Sequence, residues 1–574
     1  MPSLYKKVIS GRPYWYLREM GWVDGKPKMI SERYLGTAAE VATLLEAREQ
    51  AMVPERTRHL DFGAVAAVWG LLADLGVAAL IDEASGPGPS GLPLSPGTYL
   101  ALTVLHRVTD PCSKRGYAHW WRTTAADRFT KIPASALDHR RLWDAMHALP
   151  LQSLAQIEEK LALTACARFG LDTSSVALDM TNFATFIDTG NDAAPIAQRG
   201  KAKQKRADLR LVGLGLVVTR EGAIPLLSYA YPGNKPDVTQ FPDMIETLAA
   251  RHAGLAAAAS GATADTTADM TVVFDAGQNS AANFAVLAGT KLHYVGSVPA
   301  SDCADLLAVP AAARTVVDPQ RFAALSAYDT RRVVYGSQRR AILTHSPQLH
   351  EHQARGFTGT TLAKAGRQLD ELAATLARGA TRRTRPTLEA EIAKITCNTW
   401  VRRVITWRLD GDKPRDLRLA WSIDPTAHTA LEEEIFGKHV LITGHDDWPV
   451  AEVIAAYRSQ SEAESSFRQM KDPHVVSFSP MFHWTEHNIR VHTFTCVLAL
   501  QIAHLMRLKA DRAGLHLSVR QLLNQLAGIG ETVLIYPSTG GRPKARRMLT
   551  ETTDLQDQLA TIFQLDRFAP TVRS

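Results

Sequence analysis

The stretch Val450–Lys471, VAEVIAAYRSQSEAESSFRQMK, decides how the rest of the chain is read. Val453, Ile454, Tyr457, Phe467 and Met470 recur at helical intervals with small residues between them. Pro449 can open a helix, and Pro473 bars one from continuing. The spacing therefore predicts one helix over 450–471. Tyr457, Glu464 and Lys471 stand seven residues apart on it, two turns each, and form a single stripe. A hydroxyl, a carboxylate and an ammonium in line suit a metal ion and a run of phosphates. A solvated amphipathic face could carry the same three residues. A second apolar run, Ile489–Met506, follows after a loop.

Working outward, 574 residues at 45% hydrophobic are enough for several domains with real cores. The net charge of +7 favours a polyanionic partner. Five cysteines, Cys112, Cys166, Cys303, Cys397 and Cys496, lie far apart without a C-x-x-C pair, which argues against a disulfide framework or a zinc knuckle. The N-terminal segment lacks an apolar signal core. Phe62–Ile81 is the most membrane-like run, but Asp74 and Gly76 break it, so two short buried helices are expected rather than a span. These features predict a soluble protein of the cytoplasm.

Residues 1–50 read as a small basic sheet, with strand-like runs at Tyr5–Ile9, Tyr14–Arg18 and Ile30–Leu35 separated by turn residues. Residues 51–170 read as helical. Within them, Arg107–Arg122 mixes cations with Tyr117, Trp120 and Trp121, a combination that suits a DNA surface and equally a core. After Leu171 the texture changes to strands. Val176–Asp179 is a short apolar run ending in a carboxylate; Leu211–Val218 and Ile224–Tyr229 follow as two more strands. A helix at 238–252 precedes Thr271–Asp275, a second buried strand ending in Asp, and Leu292–Val298 closes the set. Three strands in a meander and two joined through crossovers give a mixed sheet covered by helices. Asp179 and Asp275 then sit at strand ends, where α/β folds place their ligands.

Three carboxylates on separate elements, Asp179, Asp275 and Glu464, are what a pair of divalent ions requires. The order of the pieces resembles the DDE-type insertion-sequence transposases. Tyr457-x2-Gln460-x3-Glu464-x6-Lys471 is similar to their Y-x2-R-x3-E-x6-K signature. Leu178-Asp179-Met180-Thr181-Asn182 and Val273-Phe274-Asp275-Ala276-Gly277 resemble their first and second Asp strands. The segments Lys205–Leu209, Pro232–Asn234 with Asp237, Phe436–Thr443 and His483–His492 fit in sequence order. The resemblance spans residues 170–510. It implies an α/β, ribonuclease H-like mixed sheet with flanking helices, interrupted by an inserted domain, and preceded by a small N-terminal sheet and a helical domain.

On that basis the chain divides into a strand-rich N-terminal sheet at 1–50, a helical DNA-binding region at 51–170, and the first part of the core at 171–300. An inserted domain at 301–445, the second part of the core at 446–510 and a helix-biased C-terminal region at 511–574 complete it. The resemblance implies catalysis and metal binding by Asp179, Asp275 and Glu464, with two Mg²⁺ ions that Mn²⁺ can replace. Tyr457 and Lys471 would contact DNA phosphates. Gln460 stands where the signature has Arg, so Arg458 or Arg468 would supply that cation or the contact is lost. Trp400 or Trp407 of the insertion would stack on a base, if neither is core. The implied partners are double-stranded DNA, as terminal inverted repeats and as target, and a second copy of the chain on paired DNA ends; no membrane is implied. The implied location is the bacterial cytoplasm, on the nucleoid.

Rival readings are a metal-dependent nuclease that cuts without joining and a catalytically degenerate DNA-binding copy. A remote third is a zinc hydrolase, because His483-Trp484-Thr485-Glu486-His487 matches H-x-x-E-H. Gly213-x-Gly215 lies within a strand and lacks the third glycine and following helix of a dinucleotide site, and there is no phosphate-binding G-x-x-x-x-G-K-[ST] loop.

Overall fold

The computed structural model describes residues 2–571 apart from 24, 87, 90, 204, 205, 207, 262–268, 380, 381 and 538–543. Lys205 and Ala207 of the 205–209 motif, two positions of the basic link 378–386 and residues 540–543 of the C-terminal basic loop therefore lie outside the described residues. The chain forms two compact units: Met1–Ala73 with Ser113–Arg141 and Lys509–Ser574, and Asp74–Cys112 with Leu142–Leu508. The region read as one helical domain, 51–170, is divided between them.

In the first unit, β1 (Pro2–Ile9), β2 (Arg12–Val23) and β3 (Lys26–Gly36) form an antiparallel meander, as the three aromatic runs predict. Tyr5, Tyr16 and Tyr34 touch across its strands, tilted in the first pair and edge-on in the second, and the Arg18 guanidinium lies 3.8 Å over the Tyr5 ring. The sheet leaves Trp22 78% exposed. β4 (Arg56–Asp61) pairs with Gly530–Ile535, which also pairs with Ala545–Leu549. These strands arise where helix was expected, because Thr532-Val533-Leu534-Ile535 is a β-branched and apolar run that pairs readily. Glu531 on the central strand is fully buried between Arg128 and Arg547. Of the segment 107–122, which suited a DNA surface or a core, the aromatics are core while Arg115 and Arg122 stay exposed. Tyr117, Trp120 and Trp121 share one face of the helix Tyr117–Thr123 and are buried, with Trp121 Nε1 donating to the Ile132 carbonyl.

The second unit is built on a nine-stranded sheet. Its strands are β5 (Ser175–Ala184), β6 (Leu211–Thr219), β7 (Pro225–Pro232), β8 (Thr271–Phe274), β9 (His293–Val298), β10 (Thr315–Val316), β11 (Ser326–Val334) and β12 (Ser337–His345). A separate hairpin, β13 (Ile405–Asp410) and β14 (Arg418–Ile423), precedes the ninth sheet strand, β15 (Lys438–Thr443). The order is β10-β11-β12-β15-β9-β8-β5-β6-β7. β5, β6 and β7 run antiparallel; β8 is parallel to β5, and β9 to β8. Helices α1 (Phe241–Ser260) and α2 (Ala281–Ala288) lie in the two connections. This is the predicted meander with crossovers.

The insertion is two things at once. Strands β10, β11, β12 and β15 extend the central sheet, because Ala341–Leu343 and Val440–Ile442 are buried on both faces. Residues 347–436 carry their own core around Leu369, Leu388, Ile392, Val404 and Phe436. β6 is buried throughout. A Cβ at Gly213 would strike the Tyr231 ring, and one at Gly215 the Met244 sulfur. The G-x-G pair is thus a packing device.

The helix expected over 450–471 is two helices, α3 (Val450–Arg458) and α4 (Gln460–Lys471). Ser459 separates them: its hydroxyl donates back to the Ala456 carbonyl at 2.6 Å and competes with the backbone ladder. α5 (Glu486–Arg512) is long and apolar enough to cross a membrane, yet 94% of its apolar window is buried inside the fold. Phe62–Ile81 falls on two helices, Gly63–Asp74 and Val77–Ser85, bent by 52°.

Candidate active site

The parallel register of β5 and β8 aligns Ala177 with Val273, so Asp179 and Asp275 stand two residues further along neighbouring strands. Strand alternation puts Asp179, Thr181 and Phe183 on one face, and α4 lies along that face. Gln460 Nε2 donates to the Leu178 carbonyl at 3.0 Å, and Lys471 Nζ donates to Thr181 Oγ1 at 2.7 Å. The Phe467 ring meets Phe183 edge-on. These contacts pin both ends of α4 to β5 and bring Glu464, an exposed residue one turn past Gln460, within electrostatic reach of Asp179.

Asp179 is half-buried, and its carboxyl is pushed up to about 6. Loss of hydration is the main cause, and the charges of Glu464 and Asp275 add to it. The Met180 N–H, donating at 2.7 Å, and the Lys203 ammonium oppose the shift. Lys203 is itself braced: it donates to the Met180 carbonyl and, at 2.9 Å, to Asp237, whose other oxygen accepts from Tyr231 at 2.6 Å.

Asp275 is held differently. Its Oδ1 accepts from Ser297 Oγ at 2.5 Å and from the Tyr457 hydroxyl at 3.2 Å, while Ser297 Oγ accepts the Ala276 N–H at 3.0 Å. Burial raises the Tyr457 phenol above its ordinary range, and the neighbouring Asp275 charge adds to this. His439 stands 3.5 Å from that hydroxyl and is held below the usual histidine range by burial. Burial also lowers the Lys471 ammonium, with Lys203 contributing.

The three predicted carboxylates thus come to one place. Of the residues expected to contact DNA, Lys471 lies beside them and Tyr457 touches Asp275. Arg458 is exposed with its guanidinium 4.5 Å over the Phe322 ring, and Arg468 is exposed on α4. Gln460 does not reach the surface: it is 5% exposed, spent on the Leu178 carbonyl, and its Oε1 is buried without a partner. Trp400 packs on Phe436, and Trp407 is 39% exposed opposite Trp421 on the hairpin. Sequence reasoning missed Lys203 and Ser297. Lys203 is one of several cations in its loop, and Ser297 carries no motif; only the fold singles them out.

Oxygen donors alone, with an excess of negative charge, fit Mg²⁺, which keeps water and substrate in its remaining positions. The three carboxylates are not drawn within 4.8 Å of one another. Among the described residues, that closeness is met by His106, Asp110 and Cys112. There the Cys112 thiol, pushed up to about 11 by burial and by Asp110, bonds to Asp110 and His106 as a neutral group rather than a thiolate ligand. The H-x-x-E-H reading fails on geometry. His483 precedes α5, so the two histidines do not share a helical face, and His487 Nε2 lies 3.1 Å from the Met146 carbonyl.

No family model matches the chain, and no curated protein matches it. Among solved structures it is similar to a piggyBac transposase synaptic complex with hairpin DNA, determined by cryo-EM. The TM-score is 0.37 and the identity 8%, over 90% of this chain and 86% of that one. A likeness of that strength carries no weight for fold or chemistry.

Proposed function

We propose that the chain is a DDE-type transposase with a ribonuclease H-like core, which cuts the terminal inverted repeats of its own element and joins them to target DNA. The observation that carries this reading is the meeting of Asp179, Asp275 and Glu464 on two parallel strands and a packed helix, close enough that the charges of Glu464 and Asp275 add to the burial that raises Asp179. Two Mg²⁺ ions, or Mn²⁺, held by these groups would activate the attacking oxygen and stabilise the leaving one. The protein's own part is positional. Ser297 and Tyr457 orient Asp275, Lys203 offsets part of the negative charge near Asp179, and Gln460 and Lys471 fix α4 so that Glu464 faces the pair. Lys471, half-buried beside Thr181, is placed to exchange that hydrogen bond for a DNA phosphate.

Double-stranded DNA is the proposed partner, a pair of protomers on paired ends the working assembly, and the cytoplasm the location. A strand-transfer assay with 3′-OH ends tests the reading. Joined product is expected with Mg²⁺ and none from Asp179→Asn, Asp275→Asn or Glu464→Gln. Cleavage without joining would make it a nuclease; binding alone would make it an inactive copy.

A further inference from the structure

Two cations and two imidazoles, none with an ion-pair partner among the described residues, gather at one end of the central sheet. They are Arg314, just before β10; His345, ending β12; Lys438, opening β15; and His350, in the helix Pro347–Gly356. His345 and Lys438 are direct cross-strand neighbours. β10 pairs with β11 through Val316 and Ser326, and Ser326 pairs with His345, so strand alternation puts Arg314 on the face that His345 and Lys438 share. The rings of His345 and His350 are 5.9 Å apart.

What makes the group unusual is Arg314. Its Nε and Nη1 are buried, and neither has a hydrogen-bond partner. Buried guanidinium donors left without an acceptor are costly, and such a group is normally paired. Lys438 donates to the Leu307 carbonyl, and His350 Nδ1 meets the Phe436 carbonyl at 3.2 Å; both acceptors are neutral, and the charges of Glu434 and Glu433 offset that of Lys438 only from a distance. The nearest acids belong to the helix Pro425–Ile435. Glu434 is committed to Arg403 at 2.6 Å, and Glu433 is exposed. Burial, with Arg314, His350 and Lys438 adding to it, holds His345 down at about 4, so its imidazole is neutral there and offers a donor rather than a charge. The missing component is an anion.

The sheet places this group with respect to the carboxylates. β9 runs parallel to β8, and β15 pairs Val440 with Val298, so the start of β15 lies at the same end of the sheet as Asp275. Two strand spacings and three residues separate Lys438 from Asp275, roughly 14 Å along the sheet. His439 points from β15 toward Tyr457 and Asp275, and Lys438 points to the opposite face.

We propose that Arg314, His345, His350 and Lys438 form a site for a phosphate oxyanion, and that its occupant is a phosphodiester of DNA passing the end of the sheet at which Asp275 stands, on the face opposite the carboxylates. The identity of the occupant rests on the transposase reading; the site does not. It would anchor the DNA away from the scissile bond and fix its register at the carboxylates.

The experiment uses the full chain, comparing wild type with Arg314→Gln and Arg314→Lys. The probes are sodium sulfate and a linear mixed-sequence duplex. In chloride buffer Arg314→Gln is expected to melt no lower than wild type, because it removes an unpaired buried cation. Sulfate should raise the melting temperature of wild type more than that of Arg314→Gln, with Arg314→Lys between. The slope of log affinity for duplex against log salt should fall by about one in Arg314→Gln. Equal sulfate shifts and equal slopes would overturn the proposal, as would an Arg314→Gln chain that melts lower and shifts equally. A sulfate difference without a slope difference would overturn the phosphodiester assignment. If wild type bound no duplex, the transposase reading would fail while the sulfate comparison still judged the site. If Arg314→Gln did not fold, Lys438→Gln would be read the same way.

Discussion

At the scale of single residues, Asp179 carries the largest consequence. Its carboxyl is raised to about 6 by burial and by two like charges, so between about pH 4 and 6 the native state binds more protons than the unfolded chain. Stability contributed by this group is present below the unfolded value and is lost as pH rises through 6. Fully lost, it amounts to about 3 kcal/mol. Asp179→Asn removes that charge. In chelator it is expected to resist urea better than wild type at pH 8 and to lose most of the advantage at pH 4, while abolishing cleavage. A variant weaker than wild type at pH 8 would show that the carboxylate is compensated. Added Mg²⁺ should stabilise wild type at pH 8 and leave Asp179→Asn unchanged. Ser297 acts one step further out, since a single hydroxyl orients Asp275 and satisfies the Ala276 N–H. Ser297→Ala is expected to lower Mg²⁺-dependent cleavage about 10–100-fold, mostly recoverable at higher Mg²⁺. Tyr457→Phe, which removes a longer neutral hydrogen bond, should cost less. An Mg²⁺ titration of cleavage rate separates the two, and equal losses would mean the tyrosine does more than orient.

At the scale of elements, the sheet was legible because short apolar runs bounded by turn residues have few alternatives; Asp275 closes its run as expected, but β5 continues past Asp179 to Ala184, so that carboxylate stands in mid-strand and not at the strand end expected. The glycines of β6 were legible only as not belonging to a dinucleotide site; their reason is the Tyr231 ring and the Met244 sulfur, which no local pattern contains. The periodicity of 450–471 is genuine, yet a helical period cannot see a side-chain hydroxyl bonding back to Ala456, and the break at Ser459 escaped it. The break matters for the site. Because α4 starts afresh at Gln460, Tyr457 belongs to a different helix from Glu464 and Lys471 and serves Asp275 rather than extending their stripe. Tyr117, Trp120 and Trp121 show the opposite failure, since cation-and-aromatic composition reads alike on a DNA surface and in a core. Lys471 is where element and function meet. Lys471→Ala loses the bond to Thr181 and one candidate phosphate contact. It should reduce the salt slope of binding to cleaved ends by about one and slow joining. An unchanged slope would return Lys471 to a purely structural role.

At the scale of the whole molecule, the chain separates a carboxylate site in one unit from a basic aromatic sheet in the other. With Tyr117, Trp120 and Trp121 buried, the cation-and-aromatic surface expected in the first 170 residues rests on the meander β1–β3. Its Lys6, Lys7, Arg12, Lys26 and Lys28 are exposed, as is Trp22, and Arg18 stacks on Tyr5. A three-stranded sheet with so many exposed side chains gains little from burial. That pattern is what a surface meant to be covered by a polyanion would show, since Lys and Arg supply charge and the rings supply stacking area. Deleting residues 1–36 removes the meander and spares every strand of the nine-stranded sheet. The deletion is expected to abolish preference for the element's own ends in competition binding and to lower the salt slope by several units. Mg²⁺-dependent nicking of non-specific duplex should survive. If preference for the ends persists without the meander, recognition lies elsewhere in the chain; if nicking disappears with it, the deletion has acted through the carboxylate site and the separation of roles between the units is wrong.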